Sequence, residues 1–529
     1  MSTRTVLRGG TVISPAGPVE ADVAIEGGEV TQVGRIDARP GDDVVDAGGR
    51  FVLPGFIDVH SHADGLLGDP DISRSLLRQG VTTVIGGQDG VSYAPGDGGY
   101  ASEYFAAING PHPTYRGGGV AALLAGADGV SPLNFGYLVP AGTVRFEVCG
   151  RDAGPASEDQ RHRMAALVAE GMDAGALGLS SGLDYVPGIF QDADEIAALC
   201  APVARAGGVY VTHMRGGYES NTAAGISEAA EISRRAEGEA GSPLKVHISH
   251  FHADADIVLA QLDALEAAGV DATFDAYPYI RGCTLLAMPL LPPEVSMLPR
   301  DEAVAVIADP AGRAALRAAC TTRATQSASL GPDWPDMIAL AHIAAPELAW
   351  AHGLTLRVAA ERAGTSPIDF ALDALVASGL ECSAVMAVRH PRSSAELARI
   401  FAHPGHTGGS DGIFIGAHPH PRAAGTFARY LRKYVRELGT WSWADAVHHL
   451  SALPARRFGI GRRGAVQVGA VADLIIVDPA SVADASTYEE PRTVAVGIDD
   501  VFVHGIRVLA GGEPTGALPG RGLRREPGA

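Results

Sequence analysis

Lysine is all but missing from this chain: Lys245 and Lys433 are the only two in 529 residues, and the remaining basic charge is arginine. Chemistry that needs a lysine before position 245 is therefore closed to it. Cysteine is sparse too. Cys149, Cys200, Cys283, Cys320 and Cys382 lie far apart with no C-x-x-C spacing, which excludes a zinc knuckle and a disulfide framework and leaves small hydrophobes. No stretch approaches the roughly 20 apolar residues that span a bilayer, and MSTRTVLRGG shows no apolar core behind a basic region. A cytoplasmic protein with no membrane partner is expected. Positive charge is short overall: a net charge of −20 argues against nucleic acid, whose phosphates need a basic surface.

What is present is a long chain, 46% hydrophobic, with enough residues for a large core and an accessory domain. Residues 1–54 read as short strands separated by Gly-Gly turns, and the same texture returns in 460–529. The two ends are expected to pair into one small β-sandwich domain. Between them, residues 55–459 alternate short apolar strands with alanine-rich helices, which predicts a (β/α)8 barrel whose active-site residues sit at the C-terminal ends of strands. Nine candidate strands compete for eight places: 56–60, 82–87, 134–138, 176–180, 208–213, 245–250, 271–275, 383–388 and 406–411. A proline-rich stretch near 284–345 breaks the rhythm and reads as an insertion over the barrel mouth. Ser157 and Gln160 have capping-box spacing, while Phe427, Tyr430, Leu431, Tyr434 and Val435 form a helical core stripe.

The polar residues at strand ends carry the functional signal. In "PGFIDVHSHAD", His60 and His62 project from one face of a strand while Val59 and Ser61 point away. Asp89 follows in "GGQDG", His213 in "YVTHMRGG", His250 in "KVHISH" and Asp411 in "GGSDG". Separated histidines with carboxylates suit zinc and related divalent ions. Asp89 also reads as a turn residue and Asp411 as a helix cap or turn residue. His247 stands at an odd offset from His250 and is expected to face away, whereas His252 shares its parity and can face a substrate. His403, His406, His418, His420, His448 and His449 read as loop or surface residues, with His406 and His418 as supports for Asp411.

The order H-x-H, His, His, Asp resembles that of the amidohydrolase superfamily. "HMRGG", "GLSSGLDYVPG", "DAYPY", "HPRAAGTFARYLRKYVRE" and "ADLIIVDP" are similar to the D-aminoacylase (N-acyl-D-amino-acid deacylase) branch. The resemblance implies one or two zinc ions, with His60 and His62 at one position, His213 and His250 at the other, and Asp411 as acid and base. It implies a small-molecule N-acyl amino acid as substrate, with Arg422 as carboxylate partner and Tyr185, Tyr279 and His252 lining the site. A homo-oligomer is possible. That branch carries cysteine as a ligand where this chain has Asp89, and a lysine near His252. Many relatives bridge two metals with a carboxylated lysine, which no element before Lys245 can supply here, so Asp89 is the bridging candidate. Two other readings stay open: the same machinery on another amide, such as an Nε-acyl-lysine or a cyclic amide of the dihydropyrimidinase kind, and a metal-free amidohydrolase-like scaffold.

Overall fold

The structure is a computed structural model that describes residues 4–15, 17–216 and 218–526. Eight parallel strands succeed one another in chain order around a barrel: β1 Phe56–Asp58, β2 Val81–Gly86, β3 Asn134–Pro140, β4 Gly178–Gly182, β5 Val209–His213, β6 Lys245–Ile248, β7 Asp271–Ala276 and β8 His406–Gly408. Closure comes from the chain just beyond β1 and β8. The Val59 amide donates to the Gly408 carbonyl at 3.3 Å, Asp411 to His60 at 2.8 Å and His62 to Gly412 at 3.0 Å. Asp58 adds a clamp by accepting the Ser410 amide at 2.8 Å. Its burial pushes the carboxyl up to about 7, against the lowering effect of the Ser410 hydrogen bonds.

Eight of the nine candidate strands enter the barrel. The ninth, 383–388, does not: Cys382–Met386 pairs antiparallel with Gly282–Leu285 and Ile338–Ile343 in a separate three-stranded sheet. A short apolar run looks the same whether it is buried in a barrel or in another core, so its pattern alone does not choose. The interruption expected near 284–345 therefore continues through this third strand. It has its own core, including Leu286, Leu290, Trp334, Leu340, Phe370 and Leu375.

The chain ends meet in a seven-stranded sheet, where Val52, Leu53 and Pro54 pair antiparallel with Ile476, Ile475 and Leu474. A four-stranded sheet from residues 5–46 packs on it through Leu7, Val23, Ile25, Val52, Ile476 and Phe502. The helix Glu158–Asp173 starts at the expected capping box, with Ser157 and Gln160 satisfying each other's backbone N–H groups. The stripe Phe427, Tyr430, Leu431, Tyr434 and Val435 is buried on consecutive helical segments, 422–429 and 430–437. Each such side chain stabilises the fold by about 1.5–3 kcal/mol through burial. Among the described residues, no helix is long and apolar enough to cross a membrane.

Candidate active site

Five of the six candidate residues lie within three positions of strand ends, on the C-terminal side as the barrel rule expects: His60 after β1, Asp89 after β2, His213 ending β5, His250 after β6 and Asp411 after β8, with His62 four positions past β1. Local sequence holds each in place. Asp64 accepts the Gly87 amide at 2.6 Å and the Ser92 hydroxyl at 2.7 Å, fixing the turn that carries Asp89. Gly182, at the end of β4, is required for close approach, because a Cβ there would lie 2.0 Å from the Asp89 carbonyl oxygen. Asp89, His250 and Asp411 have φ of 55°, 35° and 48°, a region that side chains other than glycine enter at a cost of order 1–3 kcal/mol. Such strain is concentrated where function requires a geometry that packing must enforce.

The side chains converge. His60 Nε2 lies 3.6 Å from Asp89 Oδ1, and His62 Nε2 lies 3.6 Å from Asp89 Oδ2. From the other side, His250 Nε2 lies 3.7 Å from Asp89 Oδ1 and 3.1 Å from His213 Nδ1. Asp411 Oδ1 is 3.4 Å from His62 Nε2 and 3.8 Å from His60 Nε2. Most of these gaps are too long for hydrogen bonds. Two ligands of one tetrahedral ion, at metal distances near 2.1 Å, stand about 3.4 Å apart. Two triads, His60 with His62 and Asp89, and Asp89 with His213 and His250, are buried and mutually close, so the donor set fits two divalent positions that share Asp89.

Electrostatics follow from this crowding. Burial alone would lower His62, but Asp411 and Asp89 outweigh it and push the imidazole up to about 10. Burial raises Asp89, yet His60 and the neighbouring imidazoles hold its carboxyl well below the usual range. Asp411 is also held low: burial is opposed by the Arg422 charge and by His62.

Supporting groups that the sequence did not single out complete the site. Asp275, on β7, lies 3.4 Å from His60 Nδ1 and accepts the His250 amide at 2.9 Å. His247 does not face away as its odd offset predicts: its Nε2 lies 3.1 Å from Asp275 and its ring packs on Phe458, so it is linked to His60 through that carboxylate. Asn109 Oδ1 meets His62 Nδ1 at 3.1 Å, and Asp184 meets His213 Nε2 at 3.3 Å. Parity along β7 puts Asp275 in view of the barrel interior; nothing in the sequence pairs it with His60 across seven strands.

A cavity of about 450 Å³ opens from Asp89 and Asp411 and is lined also by His213, His250, His252, Tyr185 and Tyr279. The Tyr185 hydroxyl pairs with Thr284 at 2.8 Å. Arg422 stands differently from a cavity arginine. It is fully buried, with Nη2 2.7 Å from Asp411 Oδ2 and its guanidinium 4.5 Å from the Tyr277 ring centre. His406 and His449 are buried on a strand and a helix rather than on loops or the surface, and His420 is a loop residue but buried. His406 sits on β8, where Phe401, Tyr430 and Trp441 enclose it, with Nε2 facing the Ala276 carbonyl rather than Asp411. Four of the five cysteines are buried, the fifth is half-buried, and all are free.

The model of the Amidohydrolase family matches residues 43–509. An N-acyl-D-glutamate deacylase of Alcaligenes xylosoxydans xylosoxydans is 32% identical over 98% of this chain and 96% of its own length. D-aminoacylase of the same organism is 31% identical over 98% and 97%. The crystal structure of N-acyl-D-glutamate deacylase from Bordetella bronchiseptica, complexed with zinc and a phosphonate mimic of the tetrahedral intermediate, superposes with a TM-score of 0.81 at 30% identity, covering 99% of this chain and all of that one.

Proposed function

The chain belongs to the amidohydrolase family, and we propose that within it this protein is a zinc-dependent deacylase that hydrolyses N-acyl amino acids, those of D configuration in particular. The observation that carries the reading is the convergence of four imidazoles and two carboxylates, all buried, of which Asp89, His213, His250 and Asp411 line one cavity. Relatives aligned over the full chain with the same substrate class support it.

His60 and His62 would hold one ion, His213 and His250 the other, with Asp89 between them. A divalent ion there supplies a Lewis acid and lowers the pKa of water to about 7. The protein supplies the proton traffic. Arg422 engages Asp411 Oδ2, which leaves Oδ1 facing the imidazoles. Oδ1 takes a proton from the attacking water and passes it to the departing nitrogen, releasing a carboxylic acid and a free amino acid. Ion pairing keeps Asp411 ionised, the form a base needs.

The test is amine release by zinc-reconstituted protein from paired N-acetyl-D- and N-acetyl-L-amino acids, with Nε-acetyl-lysine in the same panel. D-selective release, lost in Asp411→Asn, is expected. Release from Nε-acetyl-lysine alone would move the substrate to the lysine side chain, and no release from any member would remove the deacylase reading.

A further inference from the structure

A substrate with a free carboxylate needs a cation in the cavity, and Arg422 is engaged by Asp411. The wall offers another arginine. Arg392 follows the last strand of the inserted sheet and lines the cavity, although its side chain is only 2% exposed. A buried guanidinium is costly unless its N–H groups are matched. One match is present, Glu219 Oε1 at 2.7 Å from Nη1, while the buried Nε has none.

His252 stands in the same wall with both ring nitrogens buried and unpartnered. Its carbonyl accepts the Glu219 amide at 3.4 Å, which ties it to the residue that holds Arg392. Glu219 itself has φ of 59°, so four of the six non-glycine residues with positive φ among those described, Asp89, Glu219, His250 and Asp411, line this cavity. The other arginines in the wall are less suited: Arg281 stacks 4.2 Å from the Tyr488 ring centre, and Arg323 is exposed.

Buried donors without partners are rare and mark places where a ligand completes the set. A carboxylate matches an arginine edge in shape and charge. We propose that Arg392, with His252 beside it, is the specificity-determining group that binds a carboxylate on the amino-acid half of the substrate. The identity of that half rests on the deacylase reading. The carboxylate is either the α-carboxylate or one on the side chain, and the experiment separates them.

Zinc-loaded protein is titrated calorimetrically with N-methanesulfonyl-D-leucine and its carboxamide, and with N-methanesulfonyl-D-glutamate and its glutamine counterpart, in all of which a sulfonamide replaces the N-acyl amide that a deacylase would cleave. Wild type is expected to bind the acid of at least one pair tenfold or more tighter than the amide. Arg392→Gln should bring that ratio to within twofold, Arg392→Lys should restore part of it, and Glu219→Gln should tighten acid binding by removing a competing carboxylate. Loss of the ratio in the leucine pair assigns the α-carboxylate; loss in the glutamate pair alone assigns the side chain. A ratio that survives Arg392→Gln, or no ratio in wild type, overturns the proposal. If Arg392→Gln melts early, His252→Asn serves, and an unchanged ratio there with no gain from Glu219→Gln overturns it equally. Amine release is assayed separately, so an intact ratio without turnover sinks the deacylase reading and leaves this site standing.

Discussion

Arg422 Nη2 lies 2.7 Å from Asp411 Oδ2, an ion pair in which the arginine is fully enclosed and the carboxylate only 9% exposed. The arginine thereby holds the carboxyl ionised and leaves Oδ1 facing His60 and His62.

Removing that cation gives the first prediction. With Arg422→Met, Asp411 loses the charge that keeps its pKa low while its burial remains, so its pKa rises. The acid limb of the kcat/KM profile should move up by about one unit or more, since losing a close cation shifts a carboxyl by 1–3 units. Activity should then fall more steeply at pH 6 than at pH 8. A limb that stays in place would show that another group governs it.

Asp275 is expected to act through His60. Asp275→Asn keeps the shape but weakens the anchor on Nδ1, and partners of this kind are worth about 10–100-fold in metal affinity or activity. Competition with a zinc chelator measures it. His247→Gln, one step further out, should cost less.

Asp89 tests the shared position. Asp89→Asn tolerates the positive φ but removes the charge between the two triads, so zinc content measured by mass spectrometry should fall. Asp89→Cys should retain metal and shift preference toward softer ions, because thiolate is a softer ligand than carboxylate. Equal zinc content in Asp89→Asn and wild type would make Asp89 a turn residue only.

Metal binding and pH are linked through His62. In the metal-free protein its pKa is raised from 6.5 to about 10, so the stability its pairing adds is fully present below about 6.5 and lost as pH rises through about 10. A metal needs the neutral ring, so binding at neutral pH must expel this proton. Apparent zinc affinity should rise about tenfold per pH unit between pH 6 and 8 for each proton released. Calorimetry in two buffers of different ionisation enthalpy counts those protons. Affinity that is flat across this range would contradict the charged His62.

Gly182 offers a packing test. In Gly182→Ala the new Cβ would meet the Asp89 carbonyl at 2.0 Å, so the turn must shift, displacing the Asp89 carboxylate. Metal content should fall with a destabilisation of about 1–3 kcal/mol, the usual cost of overpacking. Ser181→Ala, its neighbour, should leave metal content unchanged.

The sequence by itself determined the alternation of strand and helix, the capping box at Ser157 and the succession of strand-end residues His60, His62, Asp89, His213, His250 and Asp411. Each of these depends on local periodicity or on a residue's place at a strand end, and period and position are written along the chain. Only the tertiary structure decided that Cys382–Met386 belongs to the inserted sheet, because a buried apolar strand carries no mark of its neighbours. It alone turned Arg422 onto Asp411, tied His247 to His60 through Asp275, enclosed His406 and brought Arg392 to the cavity wall. Those contacts join residues up to 215 positions apart, as in His60 and Asp275, where barrel closure and packing, rather than spacing, set which side chains meet.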